Sequence, residues 1–181
     1  MDQVRIIAYV LTAIFLVSAY IGYTTAKEKA DIKFLEKFFE KFKGLLKLSP
    51  LLLMLAIFAN NAVKSLAAML GGFFFGIFPV LFIASNGYII GLVVSLKESE
   101  MGLLKVLLAI IPHGVLEIPA VLIASSYGVW LGLKFYRAML GKGEFKPYLK
   151  KALIVYFKIV VPLLFIAAFI ETFITPVLAS L

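Results

Sequence analysis

A chain of 181 residues that is 63% hydrophobic, with a mean hydropathy of +1.06, is too apolar for a soluble domain, which runs near half apolar. Its net charge of +8 is localised: seven of the eighteen basic residues lie in 27–47 and six in 134–151, a pattern of lipid-facing loops and not of a nucleic-acid surface. The absence of cysteine excludes disulfides, thiolate metal sites and thiol catalysis.

Residues 1–26 predict an uncleaved anchor helix that crosses once. Their apolar run, 4–24, is longer than a typical signal-peptide core. The segment 27–49 differs in kind. Phe34, Leu35, Phe38, Phe39, Phe42, Leu45 and Leu46 recur at helical spacing among lysines and acids, which predicts an amphipathic helix lying in the membrane interface. A solvent-exposed helix packed on a partner is the alternative. Pro50 ends it and opens a polytopic membrane domain over 50–181.

Within that domain, 51–72 reads as a crossing interrupted by Asn60, Asn61 and Lys64. A turn around "GGFFFGIFP" leads into 79–96, a short "KESEMGLLK" loop follows, and 101–135 is apolar almost throughout. The final apolar run is 152–179. The fold class expected is an all-α integral membrane protein: about five transmembrane helices, the interfacial helix, and a re-entrant or broken helix. A barrel is excluded because the apolar runs are continuous and do not alternate.

A repeat of forty residues supports the re-entrant element. "PVLFIAS" at 79–85 and "PAVLIAS" at 119–125 are each followed by a small-xxx-small pair, Gly87/Gly91 and Gly128/Gly132. Such glycines let helix backbones approach closely in lipid. The repeats span 79–91 and 119–132; "PLLFIAA" at 162–168 is a weaker third copy. If the second copy makes two passes like the first, 101–111 is a short limb ending at Pro112. Eleven residues reach only ~16 Å, about half the hydrocarbon depth. That arrangement keeps the basic loops on one side; five plain crossings put the two large ones on opposite sides.

The polar residues left inside apolar runs are few: Asn60, Asn61, Lys64, Asn86, His113, Glu117 and Glu171. Ionisable groups at membrane depth cost about 3 kcal/mol or more, so they face protein or water. His113 and Glu117 are four apart and share a helix face, on a helix expected to begin after Pro112. A His–Glu or Lys–Glu pair that locks helices together is the leading reading, with Lys64 paired to Glu117 or Glu171. A proton or ion relay is the second. A metal site is not expected, because His-x3-Glu supplies two ligands and there is no second histidine. Catalytic residues and cofactors are not expected either: GxSxG, HExxH and GxGD are absent, and Ser85, Ser125 and Ser126 read as packing residues.

"FANN" (58–61), "GGFFFG" (71–76), "SNGYIIG" (85–91), "PHGVLEIPAVLIASSYGVWLG" (112–132) and "FIETFITP" (169–176), in this order, resemble the stage II sporulation protein M family over roughly 50–178. The resemblance implicates Asn60, Asn86, Gly87, Pro112, His113, Gly114, Glu117 and Glu171 as signature positions. It implies a polytopic scaffold: in endospore formers the namesake is a component of a complex that holds peptidoglycan-degrading enzymes at the engulfing septum. The wider family extends to organisms without spores or peptidoglycan, so the resemblance implies membrane architecture before any septal role.

The function expected is therefore a scaffold or assembly subunit of the plasma membrane, multi-pass and not an enzyme. Its partners are the lipid bilayer and either a second copy or other membrane proteins, and no nucleic acid. The runner-up is a transporter or channel-like subunit with a mid-membrane polar cavity. The two differ in hydration: a scaffold has His113 and Glu117 dry and mutually satisfied, whereas a transporter has a cavity that reaches them.

Overall fold

The computed structural model describes residues 2–26 and 48–179; the amphipathic helix expected at 27–49 falls outside them, apart from Leu48 and Ser49. Every regular element among the described residues is helical. These are α1 (Asp2–Thr25), α2 (Pro50–Leu70), α3 (Ile77–Met101), α4 (Leu103–Met139), α5 (Lys146–Val155), α6 (Val161–Phe169) and α7 (Thr175–Ala179). The last three join through π-turns at Tyr156–Val160 and Ile170–Ile174 into a single span, Lys146–Leu178. Five spans among the described residues are long and apolar enough to cross a membrane. The shortest, 23 residues, reaches ~35 Å, sufficient for a hydrocarbon core of about 30 Å.

Local chemistry sets the breaks. Pro50 opens α2 at a first-turn position, where its missing N–H would have had no partner anyway. A 3-10 turn, Gly71–Phe73, ends that helix, and the chain reverses through Phe75 (φ 54°) and Gly76 (φ 76°). α3 and α4 are separated by Gly102 alone, at φ 84°, a conformation that only glycine takes readily.

Helix directions follow from which residues meet. A side chain at Gly87 or Gly91 of α3 would collide with the carbonyls of Phe15 and Ala19 of α1, so both numbers rise together and these helices are parallel. Gly128 of α4 packs on Ala68 and Met69 of α2, and Gly132 on the Gly72–Gly76 turn, again in parallel. The last span runs against them: Tyr156 donates to the Ala62 carbonyl at 2.5 Å, while Phe165 stacks edge-on against Phe58 at 5.4 Å. Leu11, Met69, Ile83, Ala124, Leu131 and Leu164 bury the centre.

The re-entrant hairpin expected over 101–135, with 101–111 as its short limb, is not formed. α4 runs unbroken for 37 residues, with Pro112 and Pro119 inside it, so Pro112 does not start a helix. Proline in a helix interior removes one backbone bond and crowds the carbonyl four residues back. In a membrane bundle the neighbouring helices and local backbone adjustment absorb this, and extraction of the 103–111 limb would leave its backbone no better satisfied. Five alternating crossings follow. Residues 134–151 then lie at the opposite end from Gly102 and from the start of α2. At that basic end Trp130 stacks on Tyr148 at 5.3 Å, with Lys134 and Lys151 at 5.6 and 5.8 Å from its ring, as in an interfacial aromatic belt.

Candidate intramembrane polar site

The last span carries a device absent from α4. Both of its π-turns end two residues before a proline, Pro162 or Pro176. In each, the residue before the proline bonds five residues back: the Val161 N–H to Tyr156 and the Thr175 N–H to Ile170. Widening the turn relieves the clash between the proline ring and the carbonyl four residues back. Glu171 and Thr172 sit in the second widened turn.

That turn faces α4 where His113 and Glu117 lie one turn apart. Each of His113, Glu117 and Glu171 offers a ligand atom, and these atoms lie within 4.8 Å of one another. All three side chains are half-buried. Among the described residues, Glu117 and Glu171 are the two acids set deep within spans, and the fold brings them together. Were both ionised, their repulsion at this separation would be about 3 kcal/mol at an effective dielectric near 20. Both acids can therefore be ionised together only with a cation beside them; otherwise one carries a proton.

It opens on a cavity of about 780 Å³, room for roughly two dozen waters at about 30 Å³ each. Asn60, Asn61 and Lys64 of α2, Asn86 of α3, His113, Gly114 and Glu117 of α4, and Glu171 and Thr172 of the last span line it. The contributing stretches of α2, α3, α4 and the last span lie from mid-span towards the Gly102 end of the bundle. All six residues expected to form a polar cluster thus share one chamber. Gly87, Gly91, Gly128 and Gly132 do not reach it; they serve helix contacts. Thr172 is the wall residue that sequence reasoning missed, and its only signal was a place beside Glu171 and four residues before a proline.

The satisfaction expected of a dry lock is not what forms. His113 and Glu117 make no hydrogen bond to each other, and the buried Nδ1 of His113 and Oγ1 of Thr172 have no partner among the described residues. Lys64 acts on Glu117 electrostatically from across the chamber but forms no ion pair with either acid. The Asn60 carboxamide donates to Asn61 at 3.1 Å, and Asn86 donates to the Phe82 carbonyl at 2.7 Å. Glu171 is the third side chain beside His113 and Glu117 able to offer a ligand atom.

The family model for stage II sporulation protein M matches residues 11–176, which takes in α1 from Leu11 onward, the glycine contacts and every wall of the chamber. The chain belongs to the stage II sporulation protein M family. It is similar to two uncharacterized proteins of Methanocaldococcus jannaschii, MJ0793 and MJ0706. The first is 33% identical over 135 residues, covering 69% of this chain and 72% of that protein. The second is 28% identical over 155 residues, covering 82% of this chain and 65% of that protein. No solved structure gives a significant match. The chain is thus a multi-pass membrane protein of the stage II sporulation protein M type.

Proposed function

We propose that this stage II sporulation protein M family chain handles an ion or small polar solute in the plasma membrane, as a transporter or channel-like subunit and not as an enzyme. The observation that carries this is the 780 Å³ cavity, reached by His113, Glu117, Glu171, Lys64, Asn60 and Asn86 together. A bundle built only for support has no use for uncompensated carboxylates around open volume, since each costs free energy at membrane depth. Polar groups at the meeting point of several spans are where transporters hold their cargo.

A scaffold remains the second reading, favoured by the close backbone contacts of α3 on α1 and of α4 on α2. Small-xxx-small seams of this kind rigidify a bundle and suit a subunit that other membrane proteins assemble on. Those glycines act within the chain, so pairing with a second copy would use lipid-facing surface instead.

Flux separates the readings. Purified protein in liposomes is followed for proton and divalent-cation movement across a pH series, beside Glu117→Gln and Glu171→Gln. The transport reading expects flux in the parent and a loss of at least about tenfold in both variants. No flux in the parent, or flux unchanged by both substitutions, leaves the scaffold.

A further inference from the structure

We propose that His113, Glu117 and Glu171 bind a divalent transition-metal cation of the Zn²⁺, Mn²⁺ or Fe²⁺ class. The proposal deepens the cavity reading by naming its ligand, and it rests on the chamber being the working site. Four independent features of the structure point the same way.

The donor set comes first. One imidazole and two carboxylates are a mixed nitrogen and oxygen set, which suits first-row dications better than the all-oxygen shells of Ca²⁺ or the soft ligands that select Cu⁺. Three protein ligands facing open volume is the composition of reactive metal sites, which keep a position for water or substrate. Here that position faces a chamber with room for water.

Charge is second. A dication cancels the two carboxylates outright in a region where an uncompensated charge is costly. The other cation on the wall, Lys64, carries one charge, is exposed and pairs with neither acid.

Third, the His113 Nδ1 is buried without a hydrogen-bond partner. A neutral imidazole has one donor and one acceptor nitrogen, and buried polar atoms are almost always satisfied. A metal at one nitrogen and a proton at the other fix the tautomer, the common state of a ligating histidine.

Geometry is fourth. Ligand atoms around a tetrahedral ion at about 2.1 Å stand ~3.4 Å apart, so atoms within 4.8 Å of one another close by side-chain rotation alone. His113 and Glu117 are presented by adjacent turns of one rigid helix, and Glu171 by a π-turn, a device often found at functional positions. Asn60, Asn61, Asn86 and Thr172 line the same chamber.

The test uses the full chain, purified in detergent, stripped with a chelator and titrated separately with Mn²⁺ and Zn²⁺. Retained metal is counted by elemental analysis after desalting, and the Mn²⁺ spectrum is followed by electron paramagnetic resonance. About one equivalent per chain is expected, with a broadened inner-sphere Mn²⁺ signal. Glu171→Gln and His113→Gln should each weaken affinity beyond the ~10–100-fold typical of losing an outer-sphere partner. Glu144→Gln, at an exposed loop position, should bind like the parent. Helicity and a single gel-filtration peak establish that each variant is folded, and the parent's spectrum stands whether or not they are. No retained metal in the parent, or equal affinity in folded Glu171→Gln and His113→Gln, overturns the proposal. Binding without flux retains the metal site and removes transport; flux without binding does the reverse.

Discussion

The carboxylate of Glu171 comes within 4.8 Å of the imidazole of His113, although one belongs to the last span and the other to α4. The meeting depends on backbone as much as on side chains, because Glu171 sits in a π-turn that ends two residues before Pro176 and accommodates its ring. Replacing that proline changes the site without touching a ligand. Pro176→Ala lets the turn tighten to ordinary α-helix and moves Glu171 relative to α4. The expected outcome is a fall of about tenfold in Mn²⁺ affinity with thermal stability held or raised, read by titration and by thermal unfolding in detergent. Unaltered affinity would show that the turn does not position Glu171.

Lys64 is the second cation of the chamber, and it competes with any other. Lys64→Met should raise affinity for a divalent cation roughly 3–10-fold, the scale of removing one charge several ångströms away in a partly hydrated site. If Lys64 were instead the permanent counter-ion of the acids, the same substitution would lower the melting temperature and leave cation affinity no higher. Titration and thermal unfolding of a single preparation distinguish these outcomes.

Two helical glycines should respond in opposite directions. At Gly114 an added methyl meets nothing closer than 3.7 Å, so Gly114→Ala should gain about 0.5–1 kcal/mol from the stiffer helix backbone. At Gly91 the added carbon meets backbone of Ala19 and Tyr23, which cannot rotate away. Gly91→Ala should lose about 1–3 kcal/mol as α1 is pushed from α3. Reversible unfolding in mixed detergent provides the comparison, and a destabilised Gly114→Ala would count against the open wall described for the chamber.

Tyr156 ties the last span to α2 through its bond to the Ala62 carbonyl and its contact with Ser65 at 3.5 Å. Tyr156→Phe keeps the ring and removes the hydroxyl. A loss of about 1 kcal/mol is expected, with cation affinity unchanged, because the bond lies outside the chamber. A loss of affinity equal to that of Glu171→Gln would mean that the packing of the last span, and not its acid, governs the site.

Much of this architecture was legible from residues. Continuous apolar runs specified five crossings, and the scarcity of polar residues within them singled out Asn60, Lys64, Asn86, His113, Glu117 and Glu171. The re-entrant limb is absent because Pro112 lies inside α4 and does not start a helix. A proline's local chemistry is the same at a first turn and in an interior; the packing of α4 on the four other spans decides which it is. The repeat misled for a related reason. Pro79 lies in the first turn of α3, whereas Pro119 lies deep inside α4, so like sequences occupy unlike positions. The convergence of Glu171 on His113 was illegible because it depends on a long-range crossing and on a π-turn.

Accessibility tests the central claim, that water and ions reach the polar residues at membrane depth. The cysteine-free chain allows single thiols to be placed without background. Asn61→Cys puts a thiol on the chamber wall, and Val63→Cys puts one on the lipid-facing side of the same helix, where Val63 is 66% exposed. In intact membranes a water-soluble, membrane-impermeant maleimide applied to both sides should modify Asn61→Cys and be slowed by Mn²⁺, because only a hydrated thiol ionises and reacts. Val63→Cys should stay unmodified. An unreactive Asn61→Cys in folded protein would contradict the account, leaving a sealed bundle in place of a working chamber.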